Sequence, residues 1–217
     1  LPPINTNYLV SVTPAVSTLM SRLKPEPIKQ MLLNVCGFDP SMNNWGIATG
    51  TYDTETKKLI VYHLDVTNPV LPTGKQVRQN SKDLETAQQL YAGALAVIGQ
   101  AHAIFVEVPV GSQSARAMAS YGICVGILGG LRASGIPFYE VTPTEVKMAI
   151  TGSKTATKTE MIIAAVDKHP EANWPTYKRG GETLISEAKA EHMADAVGAI
   201  YAGLNTNQFK QTMQLMR

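Results

Sequence analysis

The 217 residues, 44% hydrophobic and 17% charged, suit one compact domain with appendages and exclude a disordered or collagen-like chain. The net charge of +2 is too small to argue a nucleic-acid partner by itself, because phosphate binding depends on where charge lies rather than on its total. No apolar run is long enough to span a bilayer, the first residues carry no signal-peptide pattern, and Cys36 and Cys124 have neither CxxC spacing nor a disulfide framework. These features predict a soluble, intracellular, cytoplasmic protein with two buried thiols, nucleoid-associated if its source is bacterial or phage.

Residues 1–30 are expected to be an N-terminal appendage, with a short amphipathic helix over Thr13–Leu23 that starts at Thr13-Pro14 and stops before Pro25. From Met31 the runs MLLNVCGFD, WGIATGTYD and LIVYHLDV predict three neighbouring antiparallel strands. Lys82 to Gln100 follows as a helix, with Leu84, Ala87, Leu90, Tyr91, Ala94, Leu95 and Ile98 at three- and four-residue spacing. AHAIFVEVP reads as a buried strand, Ala101 to Val108, ended by Pro109. A helix from about Gln113 to Ala133 carries Gly122 and Gly126 four apart, a spacing suited to close approach to the sheet.

A strand over Pro137–Val141 leads into Thr142-Pro143, an N-cap and first helical position. Next come a short helix, Thr144 to Ile150, the loop TGSKTAT, a helix from Lys158 to Lys168 and an irregular stretch HPEANWPTYKRGG. The last long helix spans about Ser186–Leu204, and residues 205–217 are expected to be a frayed helix or tail. The order is mixed α/β and departs from a doubly wound parallel sheet. It implies a domain over residues 31–204 whose sheet has about five strands, three antiparallel and then two parallel, flanked by helices.

Acids fall at telling places in this order. Asp39 and Glu107 each end an apolar strand, and Glu191, His192 and Asp195 share one face of the last helix. Acids from two strand ends and one helix can converge on divalent cations. Phosphodiester hydrolysis needs an activated water and stabilised charge on the attacking and leaving oxygens, and two hard cations roughly 3.5–4 Å apart supply both. Magnesium takes oxygen ligands, and a histidine in the set shifts preference toward manganese.

Four segments in order resemble the RuvC family of Holliday-junction resolvases: GFDPSMNNWG, AIFVEVP, VKMAITGSKTATK with Lys147 and Lys158 eleven apart, and EHMADAVGAIYAG. The resemblance runs from about Val35 to Gly203 and includes the helix SARAMASYGICVGILGG. It implies an RNase H-like fold with Asp39, Glu107, His192 and Asp195 as metal and catalytic residues. It further implies that Lys147 and Lys158 serve the scissile DNA, that two Mg2+ ions act per site with Mn2+ as a substitute, and that a homodimer acts on branched, four-way DNA. The family often places an aromatic residue just after the Glu, where this chain has Val110, and residues 1–30 have no counterpart.

Each residue also has a plainer reading. Asp39 suits a turn cap, Glu107 a salt bridge to an Arg or Lys, His192 an exposed ion pair with Glu191, and Lys158 an ordinary loop lysine. Glu187 and Glu191 suit solvent-facing support, with either able to stand in as a fourth acid. Lys178 and Arg179 beside Gly180-Gly181 read as a mobile basic loop within reach of phosphate, and Trp45 and Trp174 as core residues. Two other functions fit the same acids: a nuclease of this fold acting on RNA-DNA hybrids or single strands, and a non-catalytic DNA-binding relative. Typical RNase H takes one acid from its first long helix, whereas here the second acid is Glu107 on a strand and that helix offers only Asp83 and Glu85.

Overall fold

Alternation along the first three strands puts one set of side chains on each face of a sheet. β1 (Leu32–Asp39) pairs antiparallel with β2 (Trp45–Asp53), which pairs antiparallel with β3 (Leu59–Thr67). β4 (Ala103–Glu107) lies parallel to β1 on its other side, and β5 (Tyr139–Val141) lies parallel to β4. The sheet order is thus β3-β2-β1-β4-β5, the mixed five-stranded arrangement expected of an RNase H-like domain. The structure is a computed structural model and describes residues 31–71 and 78–216. The expected appendage over residues 1–30, with its helix at Thr13–Leu23, lies outside the described residues.

Two helices cover one face of the sheet. α1 (Gln79–Ile98) buries Leu90, Ala94 and Ile98, and α2 (Ala115–Ala133) buries Cys124, Ile127, Leu128 and Leu131. They close over Cys36, Phe38, Trp45, Ile47, Ile104 and Val106, so both cysteines are buried and free, as expected. Trp45 is fully buried, edge-on to Phe38 at 5.9 Å, and Trp174 is buried in the other core.

The opposite face is covered by α5 (Glu187–Asn205), on whose outer side α3 (Pro143–Thr151) and α4 (Lys158–Lys168) pack. α5 is buried nearly all round: Ala190, Ala194, Ala196, Val197, Gly198, Ala199, Ala202 and Gly203 let neighbouring elements approach its backbone. Thr142 caps α3 as expected, with its hydroxyl accepting from the Glu145 amide and Glu145 reaching back to the Thr142 amide.

Three expectations are revised. Gly122 and Gly126 do not seat α2 on the sheet, since a methyl group added at either would meet open space. The stretch from His169 to Gly181, expected to be irregular, supplies the first strand and turn of a two-stranded hairpin, β6 (Thr176–Arg179) and β7 (Glu182–Ile185), with Gly180 and Gly181 both at positive φ as its two-residue turn requires. Residues 205–217 do include a helix, α6 (Asn207–Leu215), but it is docked rather than frayed, seated by Phe209, whose ring packs edge-on against Phe105 and Tyr139 in the core. Among the described residues no helix is long and apolar enough to cross a membrane.

Candidate active site

Strand parity decides where the first two acids point. Leu33, Val35, Gly37 and Asp39 alternate with Cys36 and Phe38, and Phe105 and Glu107 with Ile104 and Val106. Cys36, Phe38, Ile104 and Val106 lie in the core under α1 and α2, whereas Val35 and Phe105 lie in the core that holds α5. Asp39 and Glu107 therefore emerge on the α5 side, at the last residues of neighbouring parallel strands whose register pairs Gly37 with Phe105 and Phe38 with Val106.

Two glycines bring α5 down onto that point. A Cβ on Gly37 would run into the backbone carbonyl of Ala196, and one on Gly46 into that of His192. The helix backbone rests directly on β1 and β2, a proximity that any larger residue at either position forbids. Because Gly46 stands opposite Asp39 in the sheet, His192 is delivered to the Asp39 carboxylate. Its Nδ1 lies 2.7 Å from Asp39 Oδ2, with both side chains largely shielded from water. An imidazole donating from Nδ1 to a carboxylate is fixed in the tautomer that leaves Nε2 with a free lone pair.

The electrostatics mark an under-neutralised acid set. Burial pushes the Glu107 carboxyl up to about 9, and the charges of Asp39 and Asp195 push the same way against the opposing pull of Lys147. Asp195, one turn beyond His192, is also raised, by burial first and then by Asp39 and Glu191, while His192 and Lys147 pull it down. The His192 imidazole is raised above its usual value by its hydrogen bond to Asp39, against the opposing effect of burial. Among the described residues Glu107 has no ion-pair partner, so the salt-bridge reading of that residue finds no Arg or Lys to support it.

Two lysines lie within electrostatic reach of the acids. Lys147, on α3, is close enough to Glu107 and Asp195 to act on both. Lys158 is the first residue of α4, held there by a second capping box in which Thr157 and Glu160 satisfy each other's backbone amides. Its ammonium lies 2.5 Å from Glu191 and is mostly exposed, with Asp195 and Asp39 within its field. Glu191 is thus a rim residue tied to Lys158, a pairing that the sequence does not announce because the partners lie on different helices.

The sequence-expected residues Asp39, Glu107, His192, Asp195, Lys147 and Lys158 all gather at this one end of the sheet. As the side chains stand, no group of three or more His, Cys, Asp or Glu among the described residues is drawn in to metal-ligand spacing. The donor set nonetheless suits hard divalent cations: three carboxylates, with the charge of Asp39 raising the proton affinity of both Glu107 and Asp195, and one imidazole with its Nε2 unengaged. Cations placed among them would relieve the repulsion that now favours the protonated acids. The seats at Gly37 and Gly46 went unnoticed in the sequence, although glycines inside strand runs, in VCGFD and WGIAT, are the signal for close backbone approach.

No protein-family model matches the chain, and no curated protein matches it by sequence. Two solved structures of RuvC from Thermus thermophilus are similar to it in fold. The one in complex with a Holliday junction substrate is 20% identical, with a TM-score of 0.56 over 78% of this chain and 93% of that one. The other is also 20% identical, with a TM-score of 0.55 over 85% of this chain and 97% of that one. At this identity the likeness is one of architecture: this chain has the RNase H-like fold of those RuvC structures.

Proposed function

We propose that the chain is a divalent-cation-dependent endonuclease that resolves four-way DNA junctions as a homodimer. The observation that carries this reading is the convergence of Asp39, Glu107 and Asp195, half-buried, at the end of the sheet where α5 crosses β1, with the charge of Asp39 pressing on both other acids. A structural ion cluster would pair these acids with cations, whereas here their nearest cationic groups are Lys147 and His192, too few to offset them. Asp39, Glu107, His192 and Asp195 would hold Mg2+ or Mn2+, two ions per site. Bound there, the ions supply an activated water and neutralise charge on the phosphate oxygens.

The chain's own residues do the rest. His192, hydrogen-bonded to Asp39, orients that carboxylate, and its protonation opposes cation binding at low pH. Lys147 and Lys158 flank the acids and meet the phosphate as negative charge grows on it. The fold likeness to a RuvC solved on a Holliday junction supports branched DNA as the substrate. For the second copy, the groove between α1 and α2 offers about 460 Å³ lined by Leu84, Ala87, Tyr91, Ile123, Gly126 and Ile127. It is apolar, and a two-fold substrate calls for two sites related by a two-fold axis.

One gel tests the reading: equal amounts of a four-way junction, a linear duplex and an RNA-DNA hybrid with Mg2+ or Mn2+. Symmetric nicks in the junction alone are expected. Cleavage of the hybrid in preference to the junction assigns the site to a different nuclease, and absence of cleavage on every substrate removes the catalytic reading.

A further inference from the structure

The β6–β7 hairpin is a separate two-stranded sheet, and seven of its eight strand residues are exposed, with only Ile185 partly buried. Such a ribbon is marginal by itself, so what roots it matters. Before it, Asn173 holds the edge strand β3: its side-chain oxygen accepts from the Leu64 amide at 2.6 Å and its nitrogen donates to the Leu64 carbonyl at 2.9 Å. Trp174 donates to the His169 carbonyl at 2.8 Å, and the His169 ring meets the Tyr201 hydroxyl of α5 at 2.9 Å. At the base of the hairpin the Ser186 amide donates to the Pro175 carbonyl at 2.7 Å. The base is pinned on both sides and Ile185, at the root, packs against the core, while the other seven strand residues stand exposed.

Its place follows from the run of α5. That helix has His192 over Gly46, level with Asp39, Ala196 over Gly37, two residues back along β1, and Gly203 against Phe105 on the neighbouring strand β4. Its first turns therefore project past the site edge, and the hairpin joins them at Ser186, about 9 Å along the helix from His192. The Asn173 clamp sets this root on the β3 side of the sheet. Four residues per strand give an arm about 13 Å long, enough to enter a DNA groove roughly 8.5 Å deep that admits a two-stranded ribbon.

The residues suit that use. Tyr177, Arg179, Glu182 and Leu184 share one face of the ribbon, with Tyr177 and Leu184 paired across the strands and Arg179 opposite Glu182. Lys178 and Thr183 share the other face with Thr176. Lys178 and Arg179 have no ion pair among the described residues, and with Glu182 they leave the tip net positive. Tyr177, 44% exposed, is a large ring held out in water on the ribbon face that also carries Arg179.

Resting on the nuclease reading above, we propose that the β6–β7 ribbon is a DNA-binding arm. It enters the groove of the duplex arm beside the scissile strand, with Lys178 and Arg179 on phosphates and Tyr177 against the groove wall. The arm sets which duplex lies across the acids and at what angle, so it governs substrate placement rather than the chemical step.

The experiment is fluorescence anisotropy of a labelled four-way junction in chelator, at several salt concentrations, with the full chain and two variants. Lys178→Ala/Arg179→Ala is expected to lose roughly tenfold to a hundredfold in affinity near 0.15 M salt and to flatten the salt slope by about two ions. Tyr177→Ala is expected to lose about threefold to tenfold with the slope unchanged. Single-turnover cleavage at saturating protein should fall by less than affinity does, and the melting temperature should hold because these side chains are exposed. Junction binding by the wild type with equal affinity and slope in both variants overturns the arm and leaves the nuclease reading standing. A wild type that binds no DNA overturns both. A loss of self-association in Tyr177→Ala without a change in DNA binding makes the ribbon a protein interface and overturns the proposal.

Discussion

The two faces of the sheet use glycine in opposite ways. Around α5, Gly37 and Gly46 of the strands and Gly198 and Gly203 of the helix each sit where an added methyl group would strike a neighbour, in the first two cases a backbone carbonyl. On the other face, Gly122, Gly126 and Gly129 of α2 look into open space, and the sheet beneath is met by Cys124, Ile127, Leu128 and Leu131 instead. The difference teaches that the site is made by backbone proximity. α5 is brought so near that His192 and Asp195 reach acids held at strand ends, while α2 is kept at ordinary side-chain distance and only supports the sheet from behind.

Breaking the α5 side should have the largest consequences. Asp39→Asn and Glu107→Gln are expected to lower the cleavage rate at least about a thousandfold, roughly 4 kcal/mol of barrier, with folding retained. Asp39→Asn also removes the charge that holds His192. Near-normal cleavage by either variant would sink the assignment of these acids. Next in size is Gly37→Ala: its methyl group must displace the carbonyl of Ala196, which is backbone and cannot swing aside. A loss of about 3 kcal/mol or outright failure to fold is expected. An urea titration of Gly37→Ala that matches wild type would show that α5 is not seated as described.

How much of this the sequence carried depends on the kind of signal. Strand alternation and acids at strand ends are local, so Asp39 and Glu107 were legible, and the helical spacing of His192 and Asp195 placed them on one face. The ordered strands and helices gave the mixed sheet. What escaped was long-range. That Gly37 lies under Ala196 cannot be read from spacing, because only the folded register brings them together, and the more conspicuous pair Gly122 and Gly126 drew the wrong inference. The hairpin escaped because Thr176–Arg179 and Glu182–Ile185 are short, polar and exposed, without the hydrophobic alternation that marks a strand, although Gly180-Gly181 was its turn signal. Phe209 fell in what read as a frayed helix or tail, and its burial comes from an aromatic cluster with Phe105 and Tyr139 formed only in three dimensions.

A third test sharpens the comparison through pH. Glu107 has its ordinary value near 4.5 in the unfolded chain and about 9 when folded without cations. Below 4.5 both states hold the proton, and above 9 both have lost it. Between them the folded chain keeps a proton that the unfolded chain has released, so metal-free stability falls as pH rises through this window. Glu107→Gln should remove that slope and make the metal-free protein more stable than wild type at pH 8, on the order of a few kcal/mol, while abolishing cleavage. The same proton must leave when cations bind, so Mg2+ or Mn2+ should raise the wild-type melting temperature more at pH 8 than at pH 6 and leave Glu107→Gln less affected. Parallel pH profiles for wild type and variant, in thermal melts without metal, would remove the charge argument for this site.

The smallest effect tests the quiet face. Gly122→Ala and Gly126→Ala place a methyl group in open space within a helix, where alanine is favoured over glycine by about 0.5–1 kcal/mol. Each should therefore raise monomer stability slightly, the opposite sign from Gly37→Ala for the same chemical change. If the α1–α2 groove receives a second copy, Gly126, which lines it, cannot gain a methyl group without pushing that copy away, whereas Gly122 does not line the groove. Gly126→Ala is then expected to weaken self-association, seen by sedimentation across a concentration series, and to separate the two nicks on a supercoiled cruciform in time. Gly122→Ala should leave the association alone. Equal association by both variants would move the dimer contact elsewhere on the surface, and destabilisation by either would mean that α2 lies closer to its neighbours than the open space at these glycines implies.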